Sequence, residues 1–420
     1  MVTTPKNLQT KRSEVALYIL QASLFSFEEL LKMEPENRLT KIFSTLDFAP
    51  ILKELNNARG PRGRNKAAML RALVAMRVEG IPTVVKLVER LKTDLMFRYF
   101  CGFRVTEPAP DESTFSRLFA KISESEKLTS VFRDLVAKGQ ELGIIGNQRV
   151  AIDSTKLDAY EKARPKSNET EGERAAWGSK RDTHGNQIAW FGYKAHIAVD
   201  CQSELPVAVE ISPANKADSD FALPLIEQLT QSWPQKEWPR YYIMDAGYDT
   251  KNIYEVIRNM YHAQAIIPLN LRGSKEPPEG FDFDGTPKCS MGYRMVYWGC
   301  DRKTGTNKFR CPHVIGKVDC PSGSAWCSES SYGLVVKTKV KDDPRKNCLP
   351  HRGTKQWQSL YDQRTAVERC FARLKGHLGA NTIRVRKLKK VKAHFLLSCL
   401  ALIAGTIAVN QSQKSAGKAA

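Results

Sequence analysis

The chain lacks an apolar run long enough to cross a bilayer. Its longest strongly apolar stretch, Phe395 to Val409, has 15 residues, and a spanning helix needs roughly 20. We therefore predict a buried helix there. The first residues, Met1 to Arg12, are polar and basic and do not resemble a secretory signal. These absences predict a cytoplasmic protein that does not enter a membrane.

Negative charge is scarce. The 420 residues include 65 Lys and Arg but only 45 Asp and Glu, so the net charge is +20. Such an excess favours a polyanionic partner, most often nucleic acid. A basic protein without such a partner is the alternative. The hydrophobic fraction of 42% is ordinary for a globular protein, and the length suits about two to four domains.

Paired CxxC knuckles, which zinc ribbons use, are also missing. Six of the ten cysteines nevertheless lie between Cys289 and Cys348. Without an export signal, a disulfide framework is not expected. Two interpretations remain open, reduced thiols or one structural Zn²⁺. The candidate zinc ligands are Cys300, Cys311, Cys320 and Cys327.

Apolar residues at helical spacing dominate the first 140 residues. We predict an N-terminal helical segment over residues 1–60 and an all-α domain over 61–140. Its short helices, tight turns and cationic flanks fit a helix-turn-helix-like DNA-binding module, with an ordinary helical bundle as the alternative. The predicted helices are Ser13 to Phe25, Phe27 to Met33, Leu46 to Leu55, Ala67 to Val78, Val84 to Lys92, Leu95 to Phe100 and one that begins near Ser113.

From about Gln148 the pattern changes to strands alternating with helices. The order of strands and helices predicts an α/β fold, a mixed sheet flanked by helices, over residues 148–270 and 356–409. Residues 271–355 are rich in Gly, Pro and Cys and predict a β-rich insertion with strands in GYRMVYWG and YGLVVKTKV. The tail, residues 410–420, is predicted to be disordered.

Two predicted strands end in an acid, AID at Asp153 and IMD at Asp245. Strand ends of such a sheet open onto a shared edge where ligands bind. A third acid, Glu368, lies in YDQRTAVERCFARLK, which has no proline and predicts one helix. Three neighbouring carboxylates repel one another, and divalent metal relieves that repulsion.

The same helix predicts two adjacent rows of side chains. On a helical wheel, one polar row falls within roughly 60°. An apolar stripe beside it would dock the helix. The polar row is Tyr361, Arg364, Glu368 and Lys375, and the stripe is Val367, Phe371, Leu374 and Leu378.

The polar row matches the Y-(2)-R-(3)-E-(6)-K signature, and the chain resembles the DDE transposases of bacterial insertion sequences that carry it. DST at 153–155 and DAGYD at 245–249 resemble that family's first two acid motifs. The segment 64–122 resembles its N-terminal helical domain. The resemblance covers roughly residues 60–410.

The resemblance implies a ribonuclease H-like fold with a β-rich insertion before the last catalytic helix. It implies two Mg²⁺ ions, replaceable by Mn²⁺. It also implies cleavage at the ends of the mobile DNA element, followed by transfer of the 3′-hydroxyl into target DNA. The implied partners are double-stranded DNA, both terminal repeats and target, and a second copy of the chain. The implied location is the bacterial nucleoid.

Residue roles follow from the resemblance and from the chemistry. Asp153, Asp245 and Glu368 are the implied catalytic metal ligands. Arg364 and Lys375 would hold phosphates, and Tyr361 would donate to a phosphate or stack on a base. Two further candidates for DNA contact, with a solvated strand face as the alternative, are Lys194 and His196.

Two other functions remain open at this stage. An inactive or co-opted DNA-binding protein would share the charge and the helical domain, although all three acids are intact. A nuclease that never joins DNA ends would use the same fold and metals.

Overall fold

The computed structural model describes residues 37–56, 63–146, 148–163, 174–181, 185–273, 275–323 and 325–419. The helices predicted between Ser13 and Met33 lie outside these ranges. All statements below concern the described residues.

The N-terminal part is helical, as predicted. Three helices match the predicted bounds to within one residue, and Asn65, Thr83 and Asp94 cap them by accepting backbone N–H bonds. The first and last helices of this part were not predicted. The helices are α1 (Arg38–Thr45), α2 (Ala49–Asn56), α3 (Lys66–Val78), α4 (Val84–Thr93), α5 (Leu95–Phe100), α6 (Glu112–Glu124) and α7 (Lys127–Glu141).

A six-stranded mixed sheet follows. The long strand β3 runs antiparallel to β1, β2 and β4, while β1, β5 and β6 are mutually parallel. Helices pack against this sheet, so the predicted α/β class, a mixed sheet flanked by helices, is confirmed. The strands are β1 (Arg149–Asp158), β2 (Ala176–Arg181), β3 (Gln187–Asp200), β4 (Pro206–Pro213), β5 (Tyr241–Ile243) and β6 (Gln264–Ile266).

Helices α8 (Ala222–Ser232) and α9 (Lys251–Asn259) connect the later strands. After β6 the predicted β-rich insertion forms a three-stranded antiparallel sheet of β7 (Val296–Asp301), β8 (Thr306–Arg310) and β9 (Val335–Lys339). Charged side chains fasten this insertion to the catalytic sheet, because Arg345 pairs with the buried Asp249 at 2.7 Å.

The signature segment is not one helix. Helix α10 (Lys355–Tyr361) ends in a 3-10 turn over Asp362–Arg364, and α11 (Thr365–Gly376) begins after it. The helix predicted over 361–375 therefore changes its hydrogen bonding at this turn, although Tyr361, Asp362, Arg364 and Thr365 keep right-handed helical backbone angles. The β-branched Thr365 donates its hydroxyl to the carbonyl of Asp362 at 3.0 Å, a local bond that competes with regular helical pairing.

The apolar stripe of α11 docks as predicted. Val367 and Leu374 are fully buried, Phe371 is nearly so, and Leu378 packs at the edge of the core. Helix α11 contacts β1 and β3, so the stripe holds its polar row beside the sheet.

The last helix, α12 (Leu388–Ala419), packs against α1, α3, α6 and α7 and also against β4. It places the helical part and the sheet in one hydrophobic core. The predicted buried helix is confirmed. Within Leu388–Lys414 the helix has the length and apolarity of a membrane span, but 72% of the apolar window is buried inside the protein.

Helix α12 continues to Ala419, through most of the tail for which the sequence predicted disorder. Extending an existing helix avoids the unfavourable nucleation step. The Gln, Lys and Ala residues of this tail are good helix formers, so a polar composition alone did not end the helix.

We expect Phe371→Ala to lower the free energy of unfolding by about 3 kcal/mol, because it leaves a cavity under α11. The matched control on the same helix is the exposed Glu368→Ala, which should change it by less than about 1 kcal/mol in chelator. Urea denaturation measures both. Equal losses in the two variants would contradict the docking role of the stripe.

Candidate active site

Two acids lie side by side where the parallel part of the sheet ends. The last register pair of β1 and β5 is Ala151 with Ile243. Asp153 and Asp245 each lie two residues further along, so they occupy corresponding positions on neighbouring strands. The strand β1 itself continues to Asp158 beside β3. The predicted strand end at Asp153 was therefore wrong: the edge opens there because β5 stops, not because β1 does.

Backbone N–H groups orient both acids. Ser154 donates to Asp153 Oδ1 at 2.7 Å, and Gly247 donates to Asp245 Oδ1 at 2.8 Å. Asp245 thereby caps the 3-10 turn Ala246–Tyr248. A Cβ at position 247 would lie 3.0 Å from that Oδ1, which explains a glycine in the DAGYD motif.

Arg364 links the first acid to the third. Its Nη1 donates to Asp153 Oδ2 at 3.0 Å, and its Nη2 donates to Glu368 Oε1. The side chains of Arg364 and Asp153 are mostly buried, while Glu368 is half-exposed. The 3-10 turn that interrupts the signature segment ends at Arg364, and this turn carries the guanidinium to the sheet.

Burial and like charge make this edge electrostatically strained. Burial, and then the nearby Asp245, raise the pKa of Asp153 to about 7. The Ser154 N–H bond and the Arg364 ion pair oppose that rise and offset only part of it. Burial also raises the pKa of Asp245, and it raises that of Tyr248 well above its usual range.

The residues present fit a divalent cation. Carboxylate oxygens are the ligands that Mg²⁺ prefers, and two desolvated neighbouring carboxylates need positive charge between them. The buried hydroxyl of Tyr248 has no hydrogen-bond partner beside them. Within the described ranges no three ligand-type side chains converge on one point, because Arg364 stands between Asp153 and Glu368.

The remaining members of the polar row also face the sheet edge. Lys375 Nζ donates to Thr155 Oγ1 at 2.6 Å and to the Lys156 carbonyl at 2.8 Å. Burial, followed by the charges of Lys156 and Lys180, lowers the pKa of Lys375 to about 8. Tyr361 stacks on Trp357 with ring centroids 5.0 Å apart.

Lys194 and His196, the two further candidates for DNA contact, do not share the face of the sheet that carries Asp153. In the register of β1 and β3 they lie opposite Lys156 and Ser154, on the other face of the sheet from Asp153. His196 is fully buried, shares a hydrogen bond with Ser212 at 2.8 Å and stacks on Phe221. Burial lowers its pKa to about 4, so it is neutral.

Sequence reasoning missed the partner of this pair. Lys194 Nζ lies 2.9 Å from Asp218 Oδ1, and the charge of Asp218 adds to the raised pKa of Asp153 and Asp245. Asp218 therefore belongs to the electrostatics of the site. The sequence feature that could have indicated an acidic partner is the pair Lys194 and His196. They lie two residues apart on a strand, so a cation and an imidazole share one face.

The structure separates one of the four predicted zinc ligands, Cys300, from the other three. Cys300 is exposed on β7 and lines a groove with lysines. Cys311, Cys320 and Cys327 instead line a small cavity elsewhere in the insertion, together with Cys289.

Two acids lie just beyond the last pairing of the parallel strands β1 and β5, and a third lies on a docked helix. Such an arrangement is typical of enzymes of metal-dependent phosphoryl transfer. The family model described as "Transposase DDE domain" matches residues 145–404, more than half of the chain. The chain belongs to this family of DNA transposases, whose members use divalent metal ions. A second model, "Transposase domain (DUF772)", matches residues 26–121.

No curated protein matches the sequence. Among solved structures, the chain is similar to the cryo-EM structure of a piggyBac transposase synaptic complex with hairpin DNA. The identity is 13%, the match covers 90% of this chain and 74% of the other, and the TM-score is 0.38.

The raised pKa of Asp153 predicts a pH-dependent stability in the absence of metal. A carboxyl whose pKa rises on folding favours the protonated state, so its stabilisation is complete below about pH 4 and is lost as pH rises to about 7. In chelator, the free energy of unfolding should fall by about 3 kcal/mol more in wild type than in Asp153→Asn between pH 5 and pH 8. Urea titrations at both pH values measure this, and parallel pH curves would contradict it.

Proposed function

We propose that this transposase cuts DNA at the ends of its element by water attack on a phosphodiester and then joins the freed 3′-hydroxyl to target DNA. The observation that carries the proposal is the register of Asp153 with Asp245, combined with the link from Asp153 through Arg364 to Glu368. This arrangement gathers three acids from separate elements at one open edge.

Asp153, Asp245 and Glu368 would hold two Mg²⁺ ions, for which Mn²⁺ can substitute. When bound, the ions stabilise the attacking and leaving oxygens of an in-line displacement. Glu368, the most exposed of the three, would also orient the attacking water. Arg364 forms ion pairs with both Asp153 and Glu368. Once another cation balances the negative charge of those two acids, the planar guanidinium of Arg364 would bind a phosphate of the cleaved strand.

Lys375 and Tyr361 would hold the DNA backbone on either side of Arg364. Lys375 is fixed against Thr155, the last residue of the first acid motif, so its ammonium is positioned before DNA arrives. The stacking of Tyr361 on Trp357 fixes the ring and leaves the hydroxyl as the group to donate to a phosphate.

The insertion offers a second cationic surface for DNA. A groove of about 800 Å³ is lined by four lysines and the exposed Trp298, and Arg310 stacks on that ring at 4.3 Å. Lysines bind phosphates without sequence preference, and an exposed indole stacks on a base. The lysines are Lys308, Lys337, Lys339 and Lys341.

The partners in this proposal are double-stranded DNA and a second copy of the chain. The helical part, α1 to α7, would bind the terminal repeats, and the net charge of +20 supports a polyanionic ligand. Two element ends must be handled together for insertion, so the active complex would contain at least two protomers.

The test is cleavage and strand transfer by purified protein in Mg²⁺ on DNA that carries the element's own ends. Asp153→Asn, Asp245→Asn and Glu368→Gln should each lower the cleavage rate by at least roughly a hundredfold. A matched control is Glu255→Ala, which removes an acid paired with a helix cation at i,i+4, as Glu368 is. It should cleave like wild type.

The same assay separates the competing functions. Transfer of a labelled 3′ end into a target plasmid supports a transposase, and cleavage without transfer would indicate a nuclease. Full cleavage by any of the three acid variants would refute the site, and DNA binding without cleavage in wild type would indicate a co-opted binding protein.

Lys375 should contribute to DNA affinity as one phosphate contact. Lys375→Ala should weaken binding and reduce the slope of log affinity against log salt by about one, while Lys375→Arg should retain the slope. Because the pKa of Lys375 is about 8, its charge and its contribution should fall between pH 7 and pH 9 in wild type. The arginine variant should not show that fall.

Fluorescence anisotropy with a labelled duplex at several salt concentrations measures these effects in chelator, where no cleavage occurs. Equal slopes for wild type and Lys375→Ala would show that Lys375 binds no phosphate.

A further inference from the structure

A small, partly open cavity lies inside the insertion, apart from the carboxylate site. Four cysteines from different segments of the insertion line it, and its volume is about 10 Å³. A cavity of that volume can hold about one water molecule. All ten cysteines of the chain are described, and the structure forms no disulfide among them. The cysteines at the cavity are Cys289, Cys311, Cys320 and Cys327.

Two of these cysteines begin tight turns of the same kind. The carbonyl of Cys289 accepts from Gly292 at 2.8 Å, and the carbonyl of Cys320 accepts from Gly323 at 3.0 Å. Both glycines have left-handed φ angles, 78° and 61°. The fourth position of each turn therefore favours glycine, because other residues rarely adopt a left-handed φ. The first position of each turn is a cysteine that lines the cavity.

Cys311 approaches from the end of β8. Its N–H donates to the Leu334 carbonyl at 2.9 Å, and a Cβ at Gly333 would lie 3.0 Å from the Cys311 Cβ. The two backbones therefore touch beside the cavity. Cys327 completes the lining from the loop between them.

Hydrophobic burial does not hold this loop. Between Cys311 and Val340, none of the described Val, Ile, Leu, Met, Phe, Tyr or Trp side chains is buried. Nor do the described residues between β8 and β9 contain a helix or strand. A segment with so little core is ordinarily held by a crosslink, and a metal ion with four protein ligands provides one.

The donor set selects the metal. Four thiolates in a closed site suit Zn²⁺, which takes four sulfur ligands in a tetrahedron. His313 also lines the cavity, and its Nδ1 lies 3.2 Å from both the Cys320 N–H and the Val318 carbonyl oxygen. These contacts hold the ring beside the Cys320 turn, so His313 supports the position of one proposed ligand.

We propose that Cys289, Cys311, Cys320 and Cys327 bind one structural Zn²⁺ that holds the loop 311–334 onto the insertion sheet. The four thiols have not converged on one point. The carboxylates of the active site have not converged either, although their family uses metal. To bind one zinc ion together, the four thiol side chains must rotate into the cavity that they line.

The test measures zinc in the full-length protein purified under reducing conditions. Wild type should contain about one zinc per chain. Substitution with Co²⁺ should give the intense absorption of a tetrahedral tetrathiolate complex. Cys289→Ser and Cys320→Ser should lose both signals. The matched control is Cys300→Ser, which removes the exposed cysteine of the same insertion and should keep them. Asp153→Asn should also keep them, which separates this metal from the active site.

A second measurement needs no variant. Chelation of the zinc should accelerate alkylation of Cys289, Cys320 and Cys327, mapped by mass spectrometry, while the exposed Cys300 should react at the same rate throughout. Zinc-free wild type, disulfides between the four cysteines, or loss of zinc from Cys300→Ser would each overturn the assignment. None of these outcomes depends on DNA cleavage, so the proposed reaction is tested separately.

Discussion

Two carboxylates on neighbouring parallel strands repel each other, and the rest of the catalytic centre depends on that repulsion. The pairing of β1 with β5 places Asp153 and Asp245 in matching positions, and burial prevents water from screening them. Arg364 supplies the nearest compensating charge. It reaches Asp153 from the 3-10 turn between α10 and α11, so the break in the signature segment serves the electrostatics of the sheet.

The positions of the three acids were predictable because the local pattern already contains them. A short apolar strand followed by an acid, and an apolar stripe beside a polar row, both follow from the period of a strand or a helix. The break at Asp362–Arg364 was not predictable in this way. Arg364, the last residue of that turn, pairs with Asp153 more than two hundred positions earlier in the chain, and no local period reports such a pairing.

The positions of side chains on β3 and in the insertion were not predictable, for one shared physical reason. Strand β3 is buried along most of its second half, so alternation does not reveal which face of the sheet borders the acids, and the pattern could not place Lys194 and His196. In the insertion, linear spacing favoured Cys300 over Cys289. The turns and the direction of β7 decide which thiols face the cavity, and both depend on tertiary packing.

Helix α12 packs against parts of the chain made much earlier, from α1 to β4. During synthesis the ribosome releases this helix after every element that it covers. The apolar surfaces that α12 covers on the helical part and on the sheet therefore stay exposed until almost the whole chain has emerged. Contacts so distant in sequence slow folding. The order of synthesis thus delays the appearance of a working active site until the helix that joins both parts is in place.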